Sequence, residues 1–184
     1  LILQQQQRGI VEWRRFDVGR DHRVEFRQPD SRAITLNRVE ARDPSRIAGR
    51  ITANGQVVLV NRSGVVFAEG AQVEAAGLIV TTADIADEAF LAGRMAFDRP
   101  GEPGARIENN GHITVRDAGL AALVAPQVVN RGTIGARLGR IALAGAEAHV
   151  VDLHGDGLFA IEVTRPVQAA AGGPLVANEG TLLA

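Results

Sequence analysis

The sequence repeats a short motif of asparagine, glycine and an aliphatic residue. It occurs as Asn54-Gly55-Gln56-Val57, Asn110-Gly111-His112-Ile113, Asn130-Arg131-Gly132-Thr133-Ile134 and Asn178-Glu179-Gly180-Thr181-Leu182. From Gly111 to Gly132 is 21 positions, and from Gly132 to Gly180 is 48, close to two further steps. A turn that recurs at this spacing before a short strand is typical of a solenoid, whose coils must stack to bury their apolar faces.

The repeat predicts an all-β fold: a right-handed parallel β-helix (solenoid) with an N-terminal cap, small antiparallel excursions and one short helix. Glycine permits a tight corner, and asparagine can stack on an asparagine one coil above, with amides bonded along the ladder. A β-sandwich also uses short strands, but it gives no reason for one turn to recur at coil spacing. The residues expected at structural turns are Asn54, Gly55, Asn110, Gly111, Asn130, Gly132, Asn178 and Gly180.

Apolar and polar residues alternate with a period of two in the first part of the chain, which indicates half-buried strands. Examples are Val11 and Trp13, then Val24 and Phe26. Further strands are predicted at residues 34–36, 57–60, 65–67, 72–73, 78–81, 113–115, 141–144, 148–153 and 158–163. Residues 1–9 are expected to be a lead-in, and residues 10–184 a single β-helix domain.

One helix is predicted at residues 85–92. Asp84 can cap its first amides, acidic residues lie in its first turn, and Gly93 ends it. Residues 99–104 contain two prolines and two glycines, so we expect a surface loop there.

The composition excludes several kinds of chemistry. All 20 basic residues are arginine, and cysteine and tyrosine are absent, which removes lysine Schiff bases, thiolate zinc sites and tyrosine acids. The formal net charge of -1 gives no general attraction to nucleic acid, and no apolar run approaches the roughly 20 residues that cross a bilayer. We therefore expect no cofactor, no metal, no nucleic-acid partner and no stable membrane insertion.

The titratable residues form no recognisable catalytic or metal motif. The histidines His112, His149 and His154 lack the spacing of a metal or hydrolase site, so surface positions are expected for them. Residues 152–157 place two carboxylates near a turn and faintly resemble a calcium loop in a single copy. Asp84, Asp87 and Asp156 are far apart for a catalytic carboxylate pair.

A series of motifs resembles one family in its order along the chain. They are IVEWRRFDVG at residues 10–19, VEFRQP at 24–29, LNRV at 36–39, DPSRIAG at 43–49 and ANGQVVLVNRSGVVF at 53–67. They continue with GLIVTT at 77–82, IADEAFLAGR at 85–94, ALVAPQVVN at 122–130 and GDGL at 155–158. The chain resembles the N-terminal domain of filamentous-haemagglutinin-like exoproteins, the two-partner-secretion or haemagglutination activity domain.

This resemblance implies a non-enzymatic secretion signal and scaffold of a Gram-negative bacterium. Members are recognised in the periplasm by the polypeptide-transport-associated domains of an outer-membrane β-barrel transporter. They lead a large adhesin, haemolysin or toxin to the cell surface or the medium, so this segment is expected to be the N-terminal part of a longer exoprotein. The family's turn is commonly Asn-Pro-Asn-Gly, of which Asn61-Arg62-Ser63-Gly64 keeps the outer residues, and the tetrad Asn-Pro-Asn-Leu is not found.

The resemblance also suggests which residues meet the transporter. The candidates are Asn37, Arg38, Pro44, Ser45, Arg46, Asn61, Arg62, Ser63 and Gly64. The turn residues Asn61 and Gly64 have a second interpretation as a purely structural corner. Trp13, Phe16 and Phe26 are expected to pack in the core or the cap at one end of the solenoid.

Two other functions stay open. The first is a glycan- or heparin-binding adhesin module, because 11 of the 20 arginines lie in the first 50 residues and host or cell-surface glycans carry acidic groups. The second is a polysaccharide-active enzyme, because parallel β-helices also serve as lyases and hydrolases with clustered carboxylates in a groove.

Overall fold

The computed structural model describes residues 1–152, 161–168 and 174–184, and its strands form three parallel sheets. Sheet A contains, in spatial order, β1 (Ile2–Leu3), β3 (Arg23–Arg27), β6 (Arg50–Ala53), β9 (Gln72–Ala75), β13 (His112–Val115), β16 (Thr133–Ala136) and β20 (Thr181–Leu183). Sheet B contains β2 (Arg8–Trp13), β4 (Ile34–Val39), β7 (Gln56–Asn61), β10 (Gly77–Thr81), β14 (Leu120–Ala125) and β17 (Arg140–Val151). Sheet C contains β5 (Ser45–Ile47), β8 (Gly64–Phe67), β12 (Arg106–Asn109), β15 (Gln127–Asn130) and β19 (Val176–Asn178).

From β4 onward the chain visits the three sheets in a fixed order, so that one coil consists of a strand from each. For example, β7 of sheet B is followed by β8 of sheet C, β9 of sheet A and then β10, again in sheet B. Gln56 of β7 lies opposite Gly77 of β10, which is 21 residues later. This arrangement confirms the parallel β-helix predicted from the repeat, while its right-handed sense stays a prediction.

The central strands of sheet B are buried on both faces because their side chains point alternately to two separate cores. Val57 and Leu59 point into the solenoid, where they pack with Phe26, Ile107 and Ile134 from the other sheets. Their neighbours in sequence, Val58 and Val60, pack in a second core outside the solenoid. Successive side chains of one strand therefore enter two different apolar cores, instead of one core and the solvent.

Two excursions from the coils cover the outer face of sheet B. Residues 82–105 connect β10 to β12 and contain the helix α1 (Asp87–Leu91) and the short strand β11 (Ala96–Phe97). The distal part of β17 pairs antiparallel with β11 and with β18 (Ile161–Pro166). The predicted antiparallel excursions and short helix are thus confirmed, with one helix among the described residues.

The predicted cap of that helix is wrong. The helix begins at Asp87 instead of Ile85, and Ala86 occupies the N-cap position without a side-chain hydrogen bond. The Asp84 carboxylate accepts a hydrogen bond from the Ile85 amide, but it also accepts one from the Arg38 guanidinium. A charge-assisted bond of this kind is stronger than a neutral one, which explains why Asp84 faces the sheet. The predicted end at Gly93 is confirmed, with φ of 84°.

The interpretation of the 48-residue interval as two coils is also wrong. Thr133 of β16 lies directly opposite Thr181 of β20, so the interval is one coil that contains the second excursion. The strands predicted at residues 141–144 and 148–153 are one continuous strand, β17. Residues 153–160, which include part of the strand predicted at 158–163 and most of the calcium-like loop, lie outside the described residues.

The N-terminal end of the solenoid is built from the first residues and the aromatic side chains. Ile2–Leu3 pairs with the end of β3, so the lead-in at residues 1–9 contributes to the sheets. Phe16 and Phe26 are buried, and Trp13 packs edge-on against Phe16 with ring centroids 5.0 Å apart. The predicted core or cap packing of these three aromatic residues is confirmed. The division into a lead-in and one domain stays a prediction.

Candidate functional site

The segments predicted to meet the transporter converge at one corner of the coil, where the chain leaves sheet B for sheet C. Val39 at the end of β4 lies opposite Asn61 at the end of β7, and Ser45 of β5 lies opposite Val65 of β8. The two connections, residues 40–44 and 62–63, are therefore stacked on adjacent coils. We call this place the B–C corner.

Asn61 is a buried structural element of the B–C corner. Its Nδ2 donates hydrogen bonds to Ser45 Oγ at 3.0 Å and to the Asp43 carbonyl oxygen at 3.1 Å, which ties two coils together. Its Oδ1 accepts a hydrogen bond from the Ser63 amide at 2.9 Å and so closes the turn. Gly64 follows with φ of 115°, and a Cβ there would lie 2.4 Å from the Arg106 carbonyl oxygen.

Arg38 is held by three acidic side chains rather than presented to solvent. Its Nε donates to Asp84 Oδ1 at 2.9 Å, its Nη2 to Asp87 Oδ1 at 2.7 Å, and its Nη1 to Glu12 Oε1 at 3.3 Å. Burial disfavours the charged guanidinium, but the hydrogen bonds to Asp84 and Asp87 outweigh that effect and raise the pKa of Arg38. The side chain is only 15% exposed. Its neighbour Asn37 is buried and accepts a hydrogen bond from Trp13 Nε1 at 3.0 Å.

A groove of about 540 Å³ brings part of the predicted set together. It is lined by Arg38, Val39, Glu40, Ala41, Arg42, Arg62, Ser63, Asp84 and Glu102. Three arginines and three acidic residues make its charge balanced. Pro44 and Arg46 are exposed outside this groove, with Arg46 on the outer face of sheet C. Sequence reasoning missed Arg42, which lies in the connection at residues 40–44, and Glu102, which comes close because the loop after the helix returns to Arg62.

The predicted structural turns lie at two different corners. Asn130 Nδ2 donates to Asn178 Oδ1 at 2.7 Å, and Asn109 Nδ2 donates to Asn130 Oδ1 at 2.8 Å, which forms the predicted asparagine ladder between sheets C and A. The first member of the ladder is Asn109, whose side chain is buried, and the predicted turn residue Asn110 follows it at the same corner. Asn54 lies between sheets A and B and binds the backbone of Gln28.

The glycines of the ladder corner stack directly on one another. The Thr133 amide donates to the Gly111 carbonyl oxygen, and the Thr181 amide donates to that of Gly132. A Cβ on Gly132 would lie 2.0 Å from the Gly111 carbonyl oxygen, and one on Gly180 would lie 2.1 Å from that of Gly132. Close approach of the backbones requires glycine here. Gly55 has the same role at the other corner, where a Cβ would lie 2.6 Å from the Ala33 carbonyl oxygen.

The expected surface position of His149 is wrong. Its side chain is 1% exposed and stacks on Phe97 with ring centroids 4.8 Å apart. Burial lowers the pKa of His149 to about 4. It is buried because the second excursion folds back over sheet B, which no spacing in the sequence reveals. His112 is exposed as expected, and His154 lies outside the described residues.

The three carboxylates considered for a catalytic role are Asp84, Asp87 and Asp156. Asp84 and Asp87 both bind Arg38, and Asp156 lies outside the described residues. Within residues 1–152, 161–168 and 174–184, no group of three His, Asp or Glu side chains could hold a metal ion.

Comparison with known proteins identifies the family. The family model of the two-partner-secretion (TPS) secretion domain matches residues 2–179. The chain belongs to this family. A solved relative is the HMW1 secretion domain from Haemophilus influenzae, which is 26% identical with a TM-score of 0.78 over 94% of this chain and 50% of that one.

Two curated relatives match part of the chain. A Heme/hemopexin-binding protein of Haemophilus influenzae strain Rd is 44% identical over 75 residues, which is 41% of this chain and 8% of the relative. A second Heme/hemopexin-binding protein of Haemophilus influenzae is 40% identical over 84 residues, 46% of this chain and 9% of the relative. The matched segments are therefore a small part of each relative's length.

Membership of the family establishes the general role of the chain. It is a non-enzymatic secretion domain of a two-partner-secretion substrate, and such a domain implies an outer-membrane transporter as its partner. Substrates of this system pass through the periplasm to the cell surface or the extracellular space. Among the described residues, no helix is long and apolar enough to span a membrane.

Proposed function

We propose that this domain is a folded scaffold that its transporter recognises at the B–C corner, through the polypeptide-transport-associated domains in the periplasm. The observation that carries the proposal is the convergence of separate sequence segments on adjacent coils at this corner. The domain then leads a large adhesin, haemolysin or toxin to the cell surface.

The candidate residues divide into two groups by burial. Asn37, Ser45, Asn61 and Gly64 are buried and shape the corner, and Arg38 is anchored by its acidic partners. Pro44, Arg46 and Arg62 are exposed, and Ser63 is half-buried. We assign the contact to this second group, in which the two arginines can form charge-assisted hydrogen bonds with acidic groups of the transporter.

The test is secretion of the segment, with a signal peptide added, from cells with and without the cognate transporter. We expect the domain in the medium only when the transporter is present. Arg46→Glu combined with Arg62→Glu should reduce secretion about tenfold or more, which corresponds to roughly 1.4 kcal/mol of binding free energy. The matched control is Arg116→Glu, an exposed arginine at the corner between sheets A and B.

Circular dichroism and the melting temperature of each purified variant will establish that the fold is retained. Equal secretion of the double variant and the control would reject the B–C corner as the contact. Secretion that does not require the transporter would reject recognition by the transporter altogether.

The glycan-binding alternative is less well supported by the charge distribution. Six of the 11 arginines in the first 50 residues form ion pairs, namely Arg15, Arg23, Arg27, Arg32, Arg38 and Arg50. Heparin recognition requires a surface with excess positive charge. We therefore expect the purified domain to elute from a heparin column at low salt, and retention above physiological salt would revive the alternative.

The curated relatives favour a second candidate for the exported cargo, an exoprotein that binds haem or hemopexin. Their match to this chain is confined to a small part of their length. Absorption spectra with added haemin should therefore change for a full-length exoprotein and stay unchanged for this domain alone. A spectral change with the domain alone would mean that the domain itself contains the haem-binding site.

A further inference from the structure

The first excursion, residues 82–105, lies across the outer face of sheet B and is called the strap. Its apolar side chains are among the most buried in the molecule: Ile85, Phe90, Met95 and Phe97 are each 3% exposed or less. They share the outer core with Ile34, Leu36, Val58, Val60 and Ile79 from β4, β7 and β10. The strap therefore completes the core of coils that precede it in the sequence.

The central part of the strap makes no backbone ladder with the sheets it covers. In residues 85–94, the backbone hydrogen bonds of the described structure are internal, such as the Phe90 amide to the Ala86 carbonyl oxygen and the Gly93 amide to that of Phe90. The backbone links to the body flank this part: the Thr82 amide donates to the Val124 carbonyl oxygen before it, and the Val151 amide donates to the Met95 carbonyl oxygen after it. Lifting residues 85–94 would thus break no strand pairing of the solenoid.

Two arginines from the first coils hold this central part. Arg38 of β4 binds Asp84 and Asp87 and also donates to the Ile85 carbonyl oxygen at 2.8 Å. Arg8 of β2 donates to the Phe90 carbonyl oxygen at 3.1 Å, and its guanidinium carbon lies 5.4 Å from the centre of the Phe90 ring. Each arginine thereby donates hydrogen bonds to backbone or carboxylate oxygens near the helix. Without these bonds, the oxygens would lie against apolar surface.

We propose that residues 85–94 of the strap are a separable cover, latched by Arg8 and Arg38, which can open without unwinding the coils and whose closure completes the first coils. Asp84 follows Arg38 by 46 residues, and Phe90 follows Arg8 by 82 residues. The outer face of β2, β4 and β7 therefore stays uncovered until the strap has joined them. The inference does not depend on the proposed function, because it concerns the folding of the isolated domain.

The first test is native-state hydrogen exchange of the whole chain, followed by mass spectrometry in increasing urea. Amides of residues 85–94 should exchange at least about tenfold faster than those of β7 and β10, through an opening that depends little on urea, because local openings expose little surface. Exchange of the strap together with the coil strands at every urea concentration would overturn the proposal.

The second test removes the latch. Arg38→Gln leaves the strap carboxylates Asp84 and Asp87, and the exposed Glu12 of β2, without their cation, and we expect the exchange of residues 85–94 to accelerate on the order of 10- to 100-fold. Exchange in β13 and β16, on the far side of the solenoid, should change less than about twofold if the opening is local. The control is Arg50→Gln, which removes one exposed ion pair with Glu74 on sheet A.

Two further variants separate a latch from a general loss of stability. Asp84→Asn and Asp87→Asn, added together to Arg38→Gln, should restore slow exchange at least in part, because the uncompensated charges are gone. If Arg38→Gln does not fold, Arg8→Met, which keeps an apolar contact with Phe90, should still accelerate exchange in residues 85–94 alone. Acceleration spread evenly over all coils, or no acceleration in either arginine variant, would overturn the latch.

Discussion

At the scale of single residues, the asparagine ladder shows how one buried amide supports three coils. Asn130 is fully buried and uses its oxygen for Asn109 and its nitrogen for Asn178. Each bond runs along the solenoid axis, so the ladder connects coils whose strands are already paired. A buried amide without a partner costs about 1–3 kcal/mol, which makes this ladder sensitive to the loss of any member.

We predict that Asn130→Ala lowers the free energy of unfolding by about 1–3 kcal/mol, since it leaves the buried Asn109 nitrogen without its partner, whereas the exposed Asn178 oxygen can bind water. Urea denaturation followed by circular dichroism measures the change. The control is Asn110→Ala, because Asn110 is adjacent in sequence but outside the ladder. An equal loss of stability in both variants would contradict the role of the ladder.

The second prediction at this scale concerns acid sensitivity at His149. Its pKa is about 4 in the folded protein, below the ordinary value near 6.5 that the unfolded chain retains. As the pH falls below 6.5, the unfolded chain takes up a proton that the folded protein excludes. As far as His149 is concerned, the free energy of unfolding is highest above pH 6.5. It decreases progressively as the pH falls to 4, by about 3 kcal/mol in total.

Urea midpoints measured at pH 7.5 and pH 4.5 check this expectation for the wild type and for His149→Phe. The variant keeps the stack on Phe97 but cannot be protonated, so its midpoint should change less between the two pH values. If both proteins lost the same stability, other groups would be responsible for the acid sensitivity.

At the scale of elements, the sequence predicted strands that alternate or that contain runs of valine and isoleucine, such as β7 and β10, and missed strands with neither feature. Strands of sheet A have one exposed face, so their alternation is visible, as in β13, where His112 and Thr114 point outward. In contrast, β14 is buried throughout, and the sequence LAALVA shows no alternation that could have predicted it. A strand between two cores lacks the periodic signal on which such predictions depend.

The candidate site illustrates a second limit at the same scale. The sequence placed the corner at Asn61-Arg62-Ser63-Gly64, because turn chemistry is local. It did not reveal that Arg38 is neutralised by Asp84 and Asp87, because that contact depends on how the excursion folds back over the sheet. Exposure, which decides which candidates can touch a partner, is a property of the assembled coils.

At Gly64, the destabilisation caused by a positive φ can be separated from the destabilisation caused by a close backbone contact. Gly64→Ala should destabilise the domain by about 2 kcal/mol or more, because its φ is 115° and the new Cβ would clash with the Arg106 carbonyl oxygen. The control is Gly104→Ala, which has φ of 75° but no atom within 4 Å of the added Cβ, and which should cost only about 1 kcal/mol. Thermal denaturation of both variants measures the difference, and equal costs would show that the close approach is unimportant.

At the scale of the whole molecule, stability is distributed along one axis because each coil contacts mainly its neighbours. Leu123 of β14 points into the inner core with coils on both sides and is 1% exposed. Leu182 of β20 lies opposite Ile134 and is 39% exposed, since its strand pairs on one side within the described residues. In a stack with nearest-neighbour coupling, a defect in a middle coil uncouples both halves, whereas a defect in a terminal coil stays local.

We therefore predict different outcomes for the same truncation at these two positions. Leu123→Ala should cost about 2–5 kcal/mol and accelerate hydrogen exchange in strands on both sides, from β10 to β17. Leu182→Ala should cost less than about 1 kcal/mol and accelerate exchange only in β19 and β20, because a partly exposed side chain loses little burial. Exchange rates mapped by peptide, together with urea denaturation, distinguish the two patterns. If Leu182→Ala weakened protection as far as β14, the solenoid would unfold as one cooperative unit, and the two excursions over sheet B would be the elements that couple its coils.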